Sequence, residues 1–132
     1  TLRRAYLQEN IVIEDFVDFD SILDHTDLFI CNGGYGSVLL SLSKGVPLLT
    51  AGIREGKNDI NAHVDTFKVG IDLRTEQPKP RAIRRAVERL LHEAQWKQNV
   101  TRLQDELNRY HPYELIDAYL AGSPELHRLD TK

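Results

Sequence analysis

The sequence predicts an α/β fold, a Rossmann-like parallel sheet flanked by helices, because short apolar runs alternate with longer amphipathic stretches. The clearest unit is the apolar run Leu28–Cys31, which is too short for a helix and is followed by a glycine-rich turn. Apolar residues then recur at helical spacing until Lys44 and Gly45 close the helix with a cationic last turn and a glycine. Strands joined through helices in this way pair in parallel by right-handed crossovers.

The other elements are predicted from the same patterns. Ile11–Val17 is predicted as a strand, Asp18 and Asp20 as caps of a short helix over residues 22–25, and Val46–Ala51 as the strand after the glycine turn. The loops after these strands are expected at the carboxyl edge of the sheet, where parallel sheets bind ligands. The remaining predicted elements are the end of a helix at Leu2–Leu7, a helix capped by Asp59 and ending at Lys68, a strand at Val69–Leu73, and helices at Arg81–His92, Gln95–Tyr110 and Tyr113–Leu120.

Length and composition indicate an ordinary globular protein, and residues 1–132 are treated as one domain. The formal charge of −3 offers no basic field, so no nucleic-acid partner is expected. No apolar run reaches the roughly 18 residues of a membrane helix and no signal peptide is visible, which predicts no membrane span and a cytoplasmic location. The single cysteine, Cys31, is expected to be a small core residue. The chain begins without Met, so it is expected to be a piece of something longer.

The turn after Leu28–Cys31 is predicted to bind a phosphate. Glycines let backbone N–H groups approach an anion at the start of a helix, and neighbouring polar side chains add donors. The residues in this prediction are Asn32, Gly33, Gly34, Tyr35, Gly36 and Ser37. Two structural alternatives remain open: a tight connection between strand and helix, and a helix cap at Ser37. Tyr35 is interpreted either as a lid over the phosphates or as a surface residue.

Other phosphate and catalytic motifs do not fit this turn. The third glycine of G-x-G-x-x-G is absent, no lysine follows Gly36 as a P-loop requires, and the nucleophile elbow G-x-S-x-G is missing.

With its following helix and Gly45-Val46-Pro47, the turn resembles the donor-binding signature of UDP-glycosyltransferases, His-Gly-Gly-x-x-Ser/Thr, a helix and Gly-x-Pro. These are two-domain GT-B enzymes, inverting and metal-independent, whose C-terminal domain holds the nucleotide sugar. The resemblance covers about residues 10–91. It implies that this chain is the C-terminal half of such an enzyme and lacks both the first strand–helix unit and the N-terminal acceptor domain.

The resemblance also implies site residues. Phe16 and Val17 match a segment whose backbone receives the base, and Lys57, Asn58 and Asp59 match the segment that contacts the donor sugar.

The sequence departs from the family signature at three places, one of which is the family Asp-Gln pair, where this chain has Lys57-Asn58. Asn32 replaces the family histidine that meets a phosphate, and Leu40 stands where the family often has a ribose-binding Glu.

The predicted function is transfer of a hexosyl group from a nucleotide sugar, with UDP-sugar as the expected donor, to an unknown acceptor. The catalytic base is expected outside this chain, in an N-terminal acceptor domain or a partner chain, and no cofactor is expected. Asp18 and Asp20 imitate a metal-binding Asp-x-Asp, but the helix-cap interpretation is favoured because no other oxygen ligands accompany them. The alternatives are a non-catalytic sugar-nucleotide-binding subunit and a GT-B-type sugar-nucleotide epimerase.

Overall fold

A computed structural model describes residues 8–121, so the predicted helix end at Leu2–Leu7 lies outside the described residues. The elements are α1 (Phe19–Leu23), β1 (Phe29–Cys31), α2 (Tyr35–Ser43), β2 (Leu48–Thr50), α3 (Lys57–Thr66), β3 (Gly70–Asp72), α4 (Pro80–His92), α5 (Ala94–Leu107) and α6 (Pro112–Leu120). From residue 19 onward the elements follow the predicted order, with helices and strands alternating as far as β3 and three consecutive helices after it.

The three strands form one parallel sheet in the order β1-β2-β3. Ile30 pairs with Leu49, and Leu49 pairs in turn with Ile71. The central strand β2 is buried along its whole length, whereas Ile30 on the edge strand β1 is 52 % exposed. The predicted parallel sheet with flanking helices is therefore confirmed.

The core has two halves because successive side chains of a strand point to opposite faces of the sheet. Leu48 packs on one face with residues of α2, α3 and α5, including Val38, Val64 and Val100. On the opposite face, Leu49 packs with residues of α4 and the start of α5: Ala86, Leu90 and Trp96. Both faces of the short sheet are thus covered by helices, so ligand-binding loops are expected at the ends of the strands, and in parallel sheets at their carboxyl ends.

The predicted strand Ile11–Val17 is wrong. The structure has no strand among residues 8–18, and the side chains of Val12 and Phe16 are 82 % and 85 % exposed. A strand requires a neighbour for its backbone hydrogen bonds and a face to bury, and within residues 8–121 this segment pairs with no strand. Its content of β-branched and apolar residues is not sufficient by itself to form a strand.

Two predicted helix boundaries also need correction. Asp59 does not cap α3, because the helix begins at Lys57 with Gly56 as N-cap. The short helix α1 spans Phe19–Leu23 rather than residues 22–25. Its N-cap is Asp18, whose carboxylate accepts hydrogen bonds from the Asp20 amide and the Ser21 hydroxyl. The helix-cap interpretation of Asp18 is confirmed, whereas Asp20 lies inside α1 and is not its cap.

Candidate functional site

The carboxyl ends of the three strands bring three loops to one edge of the sheet. Cys31, Thr50 and Asp72 end their strands in register. The glycine turn follows Cys31, the loop of residues 51–56 (the 51–56 loop) follows Thr50, and the loop of residues 73–79 follows Asp72. Cys31 packs against the core, and burial raises the pKa of its thiol, as expected of a structural cysteine. Ligand chemistry at this edge must therefore come from the loops and helix starts.

Gly33 sets the path of the glycine turn. Its φ is +84°, in the left-handed region that favours glycine, and it is buried. A Cβ on Gly33 would overlap the side-chain amide of Asn61, so the position has no room for a larger residue. The glycine-rich turn is thus required for the connection itself. The geometry of Gly33 agrees with the alternative interpretation of a tight connection between strand and helix. It is also compatible with an additional role of the turn in binding a phosphate.

The N-terminus of α2 opens directly behind this turn. Gly34 is its N-cap and provides no side-chain hydrogen bond. Within residues 8–121, the amides of Tyr35, Gly36 and Ser37 have no acceptor, because the first intrahelical bond of α2 runs from the Val38 amide to the Gly34 carbonyl, at 3.0 Å. Three N–H groups therefore point outward with the positive end of the helix dipole.

Ser37 lies inside the first turn of α2, so its interpretation as the helix cap is wrong. Its side chain is exposed and its hydroxyl has no partner among the described residues. Tyr35 is 67 % exposed and lines an apolar groove of about 220 Å³ between α2, α3 and α5. Asn32 is exposed beside the turn, where its side-chain amide can donate.

The three residues predicted to contact a donor sugar are not in a loop. Lys57, Asn58 and Asp59 form the first turn of α3, because the preceding Glu55 and Gly56 both adopt left-handed φ and turn the chain sharply into the helix. The Lys57 ammonium forms an ion pair with Glu55. Asn58 donates to the Asp59 carboxylate at 3.2 Å, and both side chains are exposed.

Gly52 joins Lys57 to the glycine turn. A Cβ on Gly52 would collide with the carbonyl of Asn32 and would lie 3.2 Å from Cδ of Lys57. The glycine turn and the start of α3 are therefore neighbours across Gly52, and the structure brings these two predicted segments together.

The segment predicted to receive the nucleotide base, at Phe16 and Val17, does not share a pocket with the glycine turn. Phe16 and Val17 line a cleft of about 510 Å³ that is formed by residues 14–20, with no residue of the glycine turn in its lining. The expectation that Phe16 and Val17 lie near the end of a strand is wrong, because the strand does not form. Leu40 lies half-buried in the middle of α2 and has no polar group for a ribose.

The structure identifies two residues near the edge that sequence reasoning missed. Asn61 is fully buried, and its amide nitrogen donates to the Gly52 carbonyl at 2.9 Å. Glu76 accepts hydrogen bonds from the amides of Ile53 at 2.8 Å and Arg54 at 3.0 Å, and these bonds lower the pKa of Glu76 below its ordinary value of 4.5. Neither contact has a local sequence signal, since each joins residues far apart in the chain.

Within residues 8–121, no group of three or more histidine, cysteine or acidic residues is arranged to hold a metal ion. Asp20, the second acidic residue of the Asp-x-Asp pattern, instead pairs with Lys44 at 3.2 Å. No helix in this same part of the chain is long and apolar enough to cross a membrane.

Comparison with known proteins gives a family match over most of the chain. The model described as "Erythromycin biosynthesis protein CIII-like, C-terminal domain" matches residues 3–121. The 4'-demethylrebeccamycin synthase of Lentzea aerocolonigenes is 37 % identical over 97 residues, which are 74 % of this chain and 23 % of that protein. The UDP-glucosyltransferase avaP of Aspergillus versicolor is 31 % identical over 121 residues, or 89 % of this chain and 27 % of that protein. The chain thus spans about a quarter of the length of these relatives.

Solved glycosyltransferases share the fold. The calicheamicin glycosyltransferase CalG4 superposes with a TM-score of 0.74 at 29 % identity over 88 % of this chain and 30 % of CalG4. The spinosyn rhamnosyltransferase SpnG, in a complex with thymidine diphosphate, superposes with a TM-score of 0.79 at 23 % identity over 89 % of this chain and 34 % of SpnG. The chain belongs to the EryCIII-like C-terminal domain family and is a C-terminal domain of the GT-B UDP-glycosyltransferase type.

Proposed function

We propose that this chain binds the diphosphate of a nucleotide-sugar donor, with UDP-sugar as the expected donor, for hexosyl transfer by an inverting, metal-independent enzyme. The observation that carries the proposal is the uncapped start of α2, where three amides without acceptors lie beside the exposed Ser37 hydroxyl. A helix N-terminus with free donors favours an anion. The site residues carried forward are Asn32, Gly33, Gly34, Tyr35, Gly36 and Ser37 for phosphate, and Lys57, Asn58 and Asp59 for the donor sugar.

The chemical role of this site is stabilisation of the leaving group. When the sugar leaves, negative charge develops on the diphosphate, and fixed N–H dipoles stabilise that charge without reorganising. Neutral donors can do this without a metal ion; the Lys57 side chain lies across Gly52 from the turn, with its ammonium paired to Glu55. The acceptor and the catalytic base are assigned to an N-terminal acceptor domain, which is consistent with the quarter-length match to the relatives.

Phe16, Val17 and Leu40 remain in the proposal as candidates for contacts with the base and ribose, and the contact of Leu40 would be apolar only. SpnG binds thymidine diphosphate, so dTDP is tested beside UDP as the alternative nucleotide. The proposed location of the protein is the cytoplasm, where nucleotide sugars are expected as substrates.

Calorimetric titration of this chain with UDP, dTDP and uridine tests the proposal. We expect one nucleoside diphosphate to bind, uridine to bind more weakly, and EDTA to leave the diphosphate affinity unchanged. Loss of binding in EDTA with recovery in Mg²⁺ or Mn²⁺ would contradict the metal-independent site. Binding of neither diphosphate would contradict the proposed function.

A further inference from the structure

Asn61 lies beneath the site, between two of its loops. It belongs to α3, its side chain is fully buried, and its amide nitrogen donates to the Gly52 carbonyl in the 51–56 loop at 2.9 Å. The same amide occupies the space that a Cβ on Gly33 would need. One side chain therefore contacts the glycine turn and the 51–56 loop.

Packing alone does not explain a polar residue here. The amide oxygen of Asn61 is buried and has no hydrogen-bond partner among the described residues. An unpaired buried acceptor destabilises the folded state, and such groups in native proteins call for a specific explanation. The contacts of this amide with Gly33 and Gly52 offer such an explanation.

Backbone contacts make the two loops mutually dependent. The backbone at Gly52 leaves no room for a Cβ beside the Asn32 carbonyl, and Lys57 borders the same contact. The hydrogen bond from the buried Asn61 amide holds the Gly52 carbonyl in place. Asn61 therefore sets the distance between the glycine turn and the start of α3.

We propose that Asn61 is a positioning residue that couples the glycine turn to the 51–56 loop, so that phosphate contacts and sugar contacts form together. The coupling is a property of the fold, while its consequence for ligand affinity rests on the proposed function. Asn61 does not touch the ligand in this role, because its side chain is fully buried.

Amide hydrogen exchange without ligand tests the coupling. Asn61→Ala should speed exchange in both residues 32–37 and residues 51–57. Ser41→Ala is the matched control, since Ser41 is also fully buried and also donates to a backbone carbonyl, that of Val46 at 2.9 Å, at the other end of α2. Ser41→Ala should leave exchange in both segments unchanged. Unchanged exchange in Asn61→Ala, or faster exchange in one segment only, would overturn the coupling. Asn61→Ser is the milder variant if Asn61→Ala does not fold.

A double-variant cycle tests the contact itself. Gly33→Ala introduces a Cβ into the space of the Asn61 amide, so its cost to the melting temperature should be smaller in the Asn61→Ala background than in the wild type. Equal costs in the two backgrounds would contradict the contact.

Titration with UDP and dTDP tests the consequence for binding. Asn61→Ala should lower the affinity for the nucleotide that the wild type binds by on the order of tenfold. Ser41→Ala should leave that affinity unchanged. Equal affinities in wild type and Asn61→Ala, or equal losses in both variants, would overturn the positioning role alone. If the wild type bound neither nucleotide, the proposed function and the positioning role would both fail, while the exchange result would still decide the coupling.

Discussion

At the scale of single residues, Ser37 tests whether the start of α2 binds phosphate. Ser37→Ala removes one hydroxyl donor to an anion, which is worth roughly 1.5–3 kcal/mol, or about 10- to 100-fold in affinity. UDP binding should weaken by this factor, whereas uridine should be almost unaffected because it has no phosphate. Calorimetric titration of both ligands measures the difference.

The matched control lies in the same helix. The Ser43 hydroxyl donates to the Leu40 carbonyl at 2.8 Å, far from the N-terminus of α2, so Ser43→Ala should leave UDP affinity unchanged. If Ser37→Ala weakened UDP and uridine equally with the fold intact, Ser37 would not be a phosphate ligand.

Substitution of Gly36 distinguishes an effect on ligand affinity from an effect on stability more clearly than substitution of Ser37 does. It is the second residue of α2, and a Cβ built there meets no atom within 4 Å, so Gly36→Ala causes no strain in the protein. Alanine favours helix over glycine by about 0.5–1 kcal/mol, so stability should be unchanged or slightly raised.

The new methyl would still stand beside the free amides, and the diphosphate affinity should fall by on the order of tenfold if one charged hydrogen bond is lost. Thermal unfolding and UDP titration of the same sample give both values. A stable Gly36→Ala variant with wild-type affinity would contradict a close approach of the ligand at this glycine.

At the scale of elements, Glu76 joins the 51–56 loop to the loop after β3. Its pKa is lowered by the Ile53 and Arg54 amides, so the ionised form is the one that holds the loops together. This contribution is complete above pH 4.5 and is lost as the pH falls through the lower pKa of the folded protein.

In an NMR titration, the amide protons of Ile53 and Arg54 should shift with a common midpoint below 4.5, and Glu76→Gln should abolish that midpoint. The Asp20 amide, which is bonded to Asp18, provides an internal control that should titrate in both proteins. A midpoint at or above 4.5 for the two loop amides would contradict the contact.

The comparison of predicted and observed elements shows which physical signals are local. The units with a long helical period or a buried apolar run, such as α4, α5 and β2, form close to their predicted positions because their own pattern specifies a buried face. The segment Ile11–Val17 has the same kind of pattern but no neighbour to pair with in the described part of the chain. Whether a strand forms depends on its partner, and one segment's sequence does not contain that information.

In the candidate site, too, some features can be predicted from the local sequence and others cannot. Gly33 and the start of α2 are predictable because a left-handed turn and a helix start have local signatures. Asn61 and Glu76 act through contacts with residues 9 and 23 positions away, and an isolated Asn or Glu in a sequence gives no sign of such a contact.

At the scale of the whole molecule, this chain can be used to test whether nucleotide binding occurs without sugar transfer. The described residues supply donors at the sheet edge but no histidine or carboxylate that we assign as a base, and the match covers only about a quarter of each relative. We therefore expect the chain to bind a nucleoside diphosphate and to transfer no sugar.

The assay follows UDP release from UDP-glucose with phenolic and aliphatic acceptors, using a sample whose diphosphate binding has first been measured by calorimetry. Binding is measured first because the absence of transfer in a sample that binds no diphosphate would not test where the catalytic base lies. Acceptor-dependent turnover would place a base within these 132 residues and contradict the prediction. Conversion of the UDP-sugar to its epimer without an acceptor would instead favour a sugar-nucleotide epimerase, since that reaction needs the diphosphate site but no acceptor molecule.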